Sequence, residues 1–290
     1  MMNLSEIKKM IQKQPVHGRI LYESGRVTER EPSVSRRFIV HSVAKSVTAI
    51  AVGFALEEGL LDLDETLEDA FPEKLTEAAS LVECSFDRDA ADRQKEEFGQ
   101  VCVRHLLSHT SGFRENYLTG FQRPYLEDDD WLKLCLSNRI TQTPGESFLY
   151  CDANYYLIAK LLRRRTGIRL TEYLLPRLFK PLGIRYPAWE PDPDGDMIGC
   201  GGLILNMDEL HRLGLVCLNG GSYNGSEVIP EAWLDTAMHE KISIGDGRGY
   251  GYGFWTTPEY CYMFGYGGVY NFISREKDTL YTVDGLILER

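Results

Sequence analysis

The sequence predicts an α+β fold: an antiparallel sheet flanked by helices, built from both chain ends, with an all-helical domain inserted between them. Three observations carry that expectation. Strand-like runs lie near the N-terminus (Gly18–Tyr22 and Arg36–Val40) and return after position 248. From about 62 to 195 the pattern is helical, with long loops. Pro191–Gly195 is a turn cluster of the kind that punctuates a boundary. Together they place a sheet domain at 1–65 and 196–290 and a helical insert at 66–195. A cleft between two such parts is a natural ligand site.

Taken in order, residues 3–13 form an amphipathic helix, with Leu4, Ile7, Met10 and Ile11 on one stripe. A polar hairpin region, Glu23–Ser35, separates the first two strands. A helix from Ser42 to Glu58 is apolar on nearly every side and stops at Gly59, which predicts a buried central helix. Cys84–Gln100 is strongly polar and reads as an exposed excursion. Val101–His109, Asp128–Asn138 and Ala153–Arg165 read as helices, and Glu172–Phe179 as one kinked at Pro176. Arg248–Trp255 alternates aromatics with glycines, and Tyr260–Tyr266 repeats the aromatic alternation, which predicts an antiparallel pair. The bare glycine face predicts close approach of the Ser42 helix. Val269–Ser274 and Leu280–Val283 add further strands.

Composition excludes several classes. Apolar residues are 43% and charged residues 26%, which argues against disorder. The net charge of −11 repels phosphate backbones, so no nucleic-acid partner is expected. The one dense basic run, Arg163–Arg165, closes a helix, where cations complement the dipole. Seven dispersed cysteines form no C-x-x-C pair, so a zinc site lacks support and a reducing compartment fits. No apolar leader segment opens the sequence, and the longest mostly apolar run, Ser46–Leu56, is far short of a membrane span. A cytoplasmic protein without a membrane partner is the expectation.

The string S-x-x-K occurs three times: Ser5–Lys8, Ser42–Lys45 and Ser274–Lys277. Context separates them, because only Ser42–Lys45 opens a buried apolar helix. A lysine there is costly without work or a partner. At i, i+3 it shares a face with Ser42, and burial at a helix N-terminus lowers an ammonium pKa towards that of a base. Those are the ingredients of an activated serine; the alternative is a capping serine with a snorkelling lysine. Tyr150-Cys151-Asp152 precedes the Ala153 helix. Asp152 reads either as that helix's cap or as part of a site in which a neighbouring cation lowers the Tyr150 pKa. Gly265–Val269 contains three glycines that permit close approach of a substrate or a helix. On such a strand either the N–H of Val269 pairs with that of Ser42 as an oxyanion hole, or the glycines give packing space at a strand crossing, which these residues alone favour.

In this order and spacing the motifs resemble the serine β-lactamase-like superfamily. The similarity points to class C β-lactamases, their esterase relatives and the 6-aminohexanoate-dimer hydrolases. It runs through His41–Ser46, Glu58–Asp64, His105–Gly112, Pro144–Tyr155, Gly201–Leu203 and Asn219–Gly221. The resemblance implies a β-lactamase-like fold and an acyl-enzyme on Ser42. It also implies acid–base work shared by Lys45 and Tyr150, and an oxyanion held by the N–H groups of Ser42 and Val269. Asp152, Tyr266, Gly267 and Gly268 would contact substrate. No metal or organic cofactor is implied.

Two departures shift the expected substrate. Asp152 stands where β-lactamases usually carry Asn, and a carboxylate beside Lys45 favours the ammonium form. Lys45 then activates Tyr150 electrostatically. Tyr266 stands where penicillin-recognising enzymes carry Lys or His, so the cation that grips a lactam carboxylate is missing; Arg248 is one substitute. The expectation is a serine hydrolase of a small ester or amide. The alternatives are a β-lactamase or D-Ala-D-Ala peptidase acting on a lactam or peptide, or a non-catalytic binding protein on the same scaffold. His41, His105 and His109 are read as structural. The chain also ends at Leu286–Arg290, where family members usually continue into a long helix. That sheet face then needs the N-terminal helix, or a second copy in a homodimer, to cover it.

Overall fold

The computed structural model describes residues 2–31, 36–82, 95–127 and 129–288. The region expected to form an exposed excursion, Cys84–Gln100, lies outside the described residues up to position 94.

An eight-stranded antiparallel sheet draws on both chain ends. Its strands are β1 (Gly18–Glu23), β2 (Arg26–Glu31), β8 (Ile242–Gly245), β9 (Arg248–Tyr250), β10 (Trp255–Thr256), β11 (Cys261–Gly265), β12 (Val269–Ser274) and β13 (Thr279–Asp284). Their order is β2-β1-β13-β12-β11-β10-β9-β8. A smaller sheet, in the order β3-β5-β4, joins β3 (Arg37–Ile39), β4 (Ala188–Trp189) and β5 (Leu203–Asn206). Two short strands, β6 (Ser222–Tyr223) and β7 (Ser226–Glu227), form a hairpin.

Helix α1 (Leu4–Lys13) starts at an Asn3 capping box with Glu6. It presses Leu4, Ile7 and Ile11 onto Leu21, Phe272, Tyr281 and Val283 of the large sheet. The N-terminal helix therefore covers this face, and Leu286 packs into the same cluster. The opposite face receives α9 (Met207–Leu218) and α2 (Val43–Glu57). Helix α2 is buried from Val43 to Ala55, as an all-round apolar helix must be. Between them in sequence come α3 (Leu67–Ala70), α4 (Pro72–Val82), α5 (Val103–Leu107), α6 (Trp131–Leu136), α7 (Asp152–Thr166) and α8 (Leu170–Leu174). A π-turn, Leu175–Phe179, follows α8 where Pro176 interrupts the ladder. Helix α10 (Glu231–Met238) packs on α2. Arg163, Arg164 and Arg165 end α7 and pair with Asp196, Glu73 and Glu65, consistent with a basic helix terminus.

Two expectations need correction. Arg26–Glu31 is a strand within the expected polar hairpin, not part of a loop. It is the sheet's edge, where charged side chains such as Arg26, Glu29 and Glu31 discourage further pairing, and that polarity hides its strand character in the sequence. Arg248–Trp255 is not one strand. Gly251–Phe254 folds back, with the Gly251 N–H donating to the Phe254 carbonyl, so β9 pairs with β10. The period-2 alternation simply continues through a turn. Only one of its glycines meets the Ser42 helix. A Cβ on Gly253 would stand 2.9 Å from Ala49 Cβ and 3.0 Å from the Lys45 carbonyl, on a backbone at φ +82°. Gly253→Ala is therefore expected to destabilise by roughly 2–4 kcal/mol through overpacking and strain, read as a lowered urea midpoint at unchanged m-value. A shift below about 0.5 kcal/mol, the usual bound for surface changes, would refute this contact.

Candidate active site

Ser42 sits at the N-terminus of α2, held there by β3 and by His41 in a left-handed conformation (φ +49°). Its hydroxyl makes no capping bond. It instead accepts from Lys45 Nζ at 3.1 Å. Lys45 is 1% exposed, and its ammonium also donates to Asp152 Oδ1 at 2.5 Å and to the Cys200 carbonyl at 2.7 Å. Three acceptors for three N–H bonds satisfy the charged form. Asp152 is the first residue of α7 and caps nothing; its backbone N–H donates to Asn116 Oδ1 at 2.6 Å. The capping readings are thus replaced by side-chain contacts with Lys45, for Ser42 one turn along the same helix and for Asp152 across the fold. The other two S-x-x-K copies are engaged elsewhere: Lys8 pairs with Glu23 at 2.6 Å and Lys277 pairs with Glu259.

Tyr150 precedes α7 in an aromatic cage. Its ring lies 4.3 Å from His109 and stacks on Trp255 at 5.6 Å, with Tyr250 edge-on at 6.2 Å. Lys45 Nζ is 4.8 Å from its centroid. Sequence reasoning found Ser42, Lys45, Tyr150 and Asp152, and the fold brings all four together. It missed Cys200, Asn116 and Trp255, whose roles rest on a carbonyl, an amide and a ring that no motif announces.

The electrostatics favour the ammonium form of Lys45, as a carboxylate beside it implies, and correct one expectation, the lowered Tyr150 pKa. Burial, the largest single influence, pulls the Lys45 pKa down, but the Asp152 carboxylate, Tyr150 and Cys200 together outweigh it, so the net shift is upward. Burial also dominates at Tyr150; the Lys45 cation opposes it, yet the phenol ends above its ordinary value. His109 is buried and held well below its ordinary pKa by desolvation and then by Lys45. Its Nδ1 accepts the Cys151 N–H at 3.2 Å, a structural role. His211, buried between α9 and the sheet, is lowered to about 4 mainly by burial. For a histidine with a lowered folded pKa, stability is complete above the ordinary value near 6.5 and is lost as pH falls below it, because only the unfolded chain takes the proton. We expect each of the two to cost about 1.4 kcal/mol per pH unit below that point. Urea midpoints at pH 7 and pH 5 check this, and His211→Gln should flatten the difference.

A cavity of about 510 Å³ opens onto Ser42, Tyr150 and Asp152. Tyr266 stands at its mouth, 63% exposed, in the turn between β11 and β12. Gly267, Gly268 and Val269 do not line it. Those glycines form the turn itself, and Gly268 packs against the Leu286 backbone. Gly265 ends β11 beside the Val40 carbonyl, with no room for a Cβ. Arg248 is also outside the cavity wall; it is exposed on β9 and faces Asp246 at 3.8 Å. The cation in the wall is Arg123, clamped by Glu190 through Nε–Oε1 and Nη2–Oε2 contacts of 3.1 Å each.

Residues 16–283 match the family model described as Beta-lactamase. The chain belongs to the Beta-lactamase family. Among curated relatives, Monacolin J acid methylbutanoyltransferase of Aspergillus terreus is 32% identical over 59% of this chain and 41% of its own length. The 6-aminohexanoate-dimer hydrolase of Paenarthrobacter ureafaciens is 24% identical over 70% of this chain and 50% of its own length. The matches therefore span about two fifths to half of these relatives. Among solved structures, the penicillin binding protein from Bacillus halodurans superposes with a TM-score of 0.72, at 18% identity, over 100% of this chain and 96% of its own. This likeness establishes the Beta-lactamase fold expected from the motifs. These two relatives are named as a methylbutanoyltransferase and a hydrolase. Among the described residues no helix is long and apolar enough to cross a membrane.

Proposed function

We propose that this Beta-lactamase family member is a serine hydrolase that cleaves a small ester or amide through an acyl-enzyme on Ser42. The observation that carries the reading is the Lys45 ammonium bound at once to Ser42 Oγ, Asp152 and the Cys200 carbonyl. With its three N–H bonds committed, Lys45 serves as a fixed cation. Tyr150, once it has lost its own proton to solvent, takes the Ser42 proton as Ser42 attacks the carbonyl carbon, and passes it to the leaving group, which departs as the alcohol or amine; the Lys45 charge stabilises the phenolate present before and after this transfer. Water, deprotonated by Tyr150, releases the acyl group and restores Ser42. The Ser42 and Val269 N–H groups are the pair we assign to the oxyanion; Gly265, the ladder partner of Val269, abuts Val40 close to Ser42.

Lactams fit less well, because Tyr266 replaces the family's cation and Arg123 is neutralised by Glu190. A second reading, acyl transfer to an alcohol instead of water, draws support from the similarity to the methylbutanoyltransferase. A fluorophosphonate probe is expected to label Ser42, mapped by peptide mass. Turnover of simple esters in water against transfer to added alcohols separates the two readings. Absence of labelling in the folded protein would defeat both.

A further inference from the structure

The mouth of the cavity carries two large aromatics with nothing over them. Phe121 is 73% exposed and Tyr266 is 63% exposed. They meet edge to face at 5.6 Å, and His41 meets Tyr266 in the same way at 5.9 Å. Phe121 lies between α5 and α6, and Tyr266 in the β11–β12 turn, so the pair arches over Ser42 from parts of the chain far apart in sequence. Exposed aromatics at the rim of a concave site gain most when a ligand covers them.

The wall beneath the arch is electrically balanced. Arg123 is 13% exposed at its side chain and held bidentate by Glu190; Asp152 is paired with Lys45. An anionic substrate therefore finds no uncommitted cation among these wall residues, and displacing Glu190 from Arg123 breaks two hydrogen bonds.

Resting on the acyl-enzyme reading above, we propose that the substrate is an uncharged ester whose flat or branched apolar group packs on the exposed surface that Phe121 and Tyr266 form together. Glu190 discriminates against anions by capping Arg123. The two aromatics and Glu190 are specificity determinants; they take no part in bond making.

The test compares kcat/KM for matched esters of one acid, benzyl against ethyl acetate, by pH-stat. Phe121→Ala and Tyr266→Ala are each expected to lower the benzyl-to-ethyl ratio about fivefold, the size of a lost aromatic contact. Phe121→Tyr should retain the wild-type ratio. Glu190→Gln should raise the ratio for monoethyl succinate over ethyl butyrate at least about fivefold, by freeing a guanidinium for the carboxylate. Ratios unchanged within twofold in all three variants overturn the proposal. Fluorophosphonate labelling of wild-type Ser42 separates the failures: labelling with unchanged ratios defeats the specificity assignment alone, whereas no labelling defeats the acyl-enzyme reading beneath it.

Discussion

Ser42→Ala is expected to lower ester turnover by roughly 10⁴-fold or more and to abolish fluorophosphonate labelling. The size of the loss follows from the lack of a substitute nucleophile among the neighbours. Burial raises the Cys151 thiol to about 11 and the Cys200 thiol to about 12, so neither supplies a thiolate near neutral pH. Tyr150 lies above its ordinary phenol value. His41 lies below its ordinary value, chiefly through burial, and is a poor acyl acceptor beside an activated serine. The variant should fold normally, because the Ser42 hydroxyl caps no backbone group and the side chain is only partly buried. A near-native urea midpoint alongside lost turnover is the expected pair of results. Labelling that survives in Ser42→Ala would falsify the nucleophile assignment.

The second large effect concerns Lys45 and Asp152. Lys45→Met should reduce kcat by roughly 10³-fold, in line with removing a group that stabilises transition-state charge. Asp152→Asn is more informative. With the carboxylate present, the folded Lys45 pKa exceeds its ordinary value near 10.5. The pair therefore stabilises the fold fully below that value, and its contribution is lost as pH rises through the raised one. In Asp152→Asn burial loses its strongest opponent, only Tyr150 and Cys200 still act against it, and the ammonium pKa falls. If Lys45 works as a cation, the alkaline limb of the kcat/KM profile moves to lower pH and the neutral rate drops. A faster variant at neutral pH would mean that Lys45 is the base, and would overturn the fixed-cation assignment. Loss of the ion pair should also cost roughly 1–3 kcal/mol, less than a full buried-pair deletion because Asn retains one acceptor.

Ser42, Lys45, Tyr150 and Asp152 were legible because each belongs to a short local motif whose chemistry is visible in residue type. The buried α2 was legible for the same reason: its apolar character is continuous along one segment. Arg123 and Phe121 were not legible, since neither has a local pattern and each matters only through a partner far away in sequence. Arg248 is a substitute for the missing cation by charge alone, and its place on the exposed β9 leaves it outside the cavity wall. The edge strand β2 escaped because the charges that protect an edge are also the charges that mark a loop.

By itself the sequence determined the class of fold, the burial of α2 and the residues Lys45, Tyr150 and Asp152 as candidate partners of Ser42. Periodicity and motif spacing are properties of contiguous residues, and hydrophobic burial follows them directly. Only the tertiary structure decided the protonation of Lys45, the covering of the sheet by α1 and the character of the cavity mouth. Each is a balance between groups from distant segments. Asp152 lies 107 positions from Lys45 and leads the groups that together outweigh its burial. Glu190 lies 67 positions from Arg123 and cancels its charge. Coulomb energies depend on distance in space, and that distance is set only when the chain is folded.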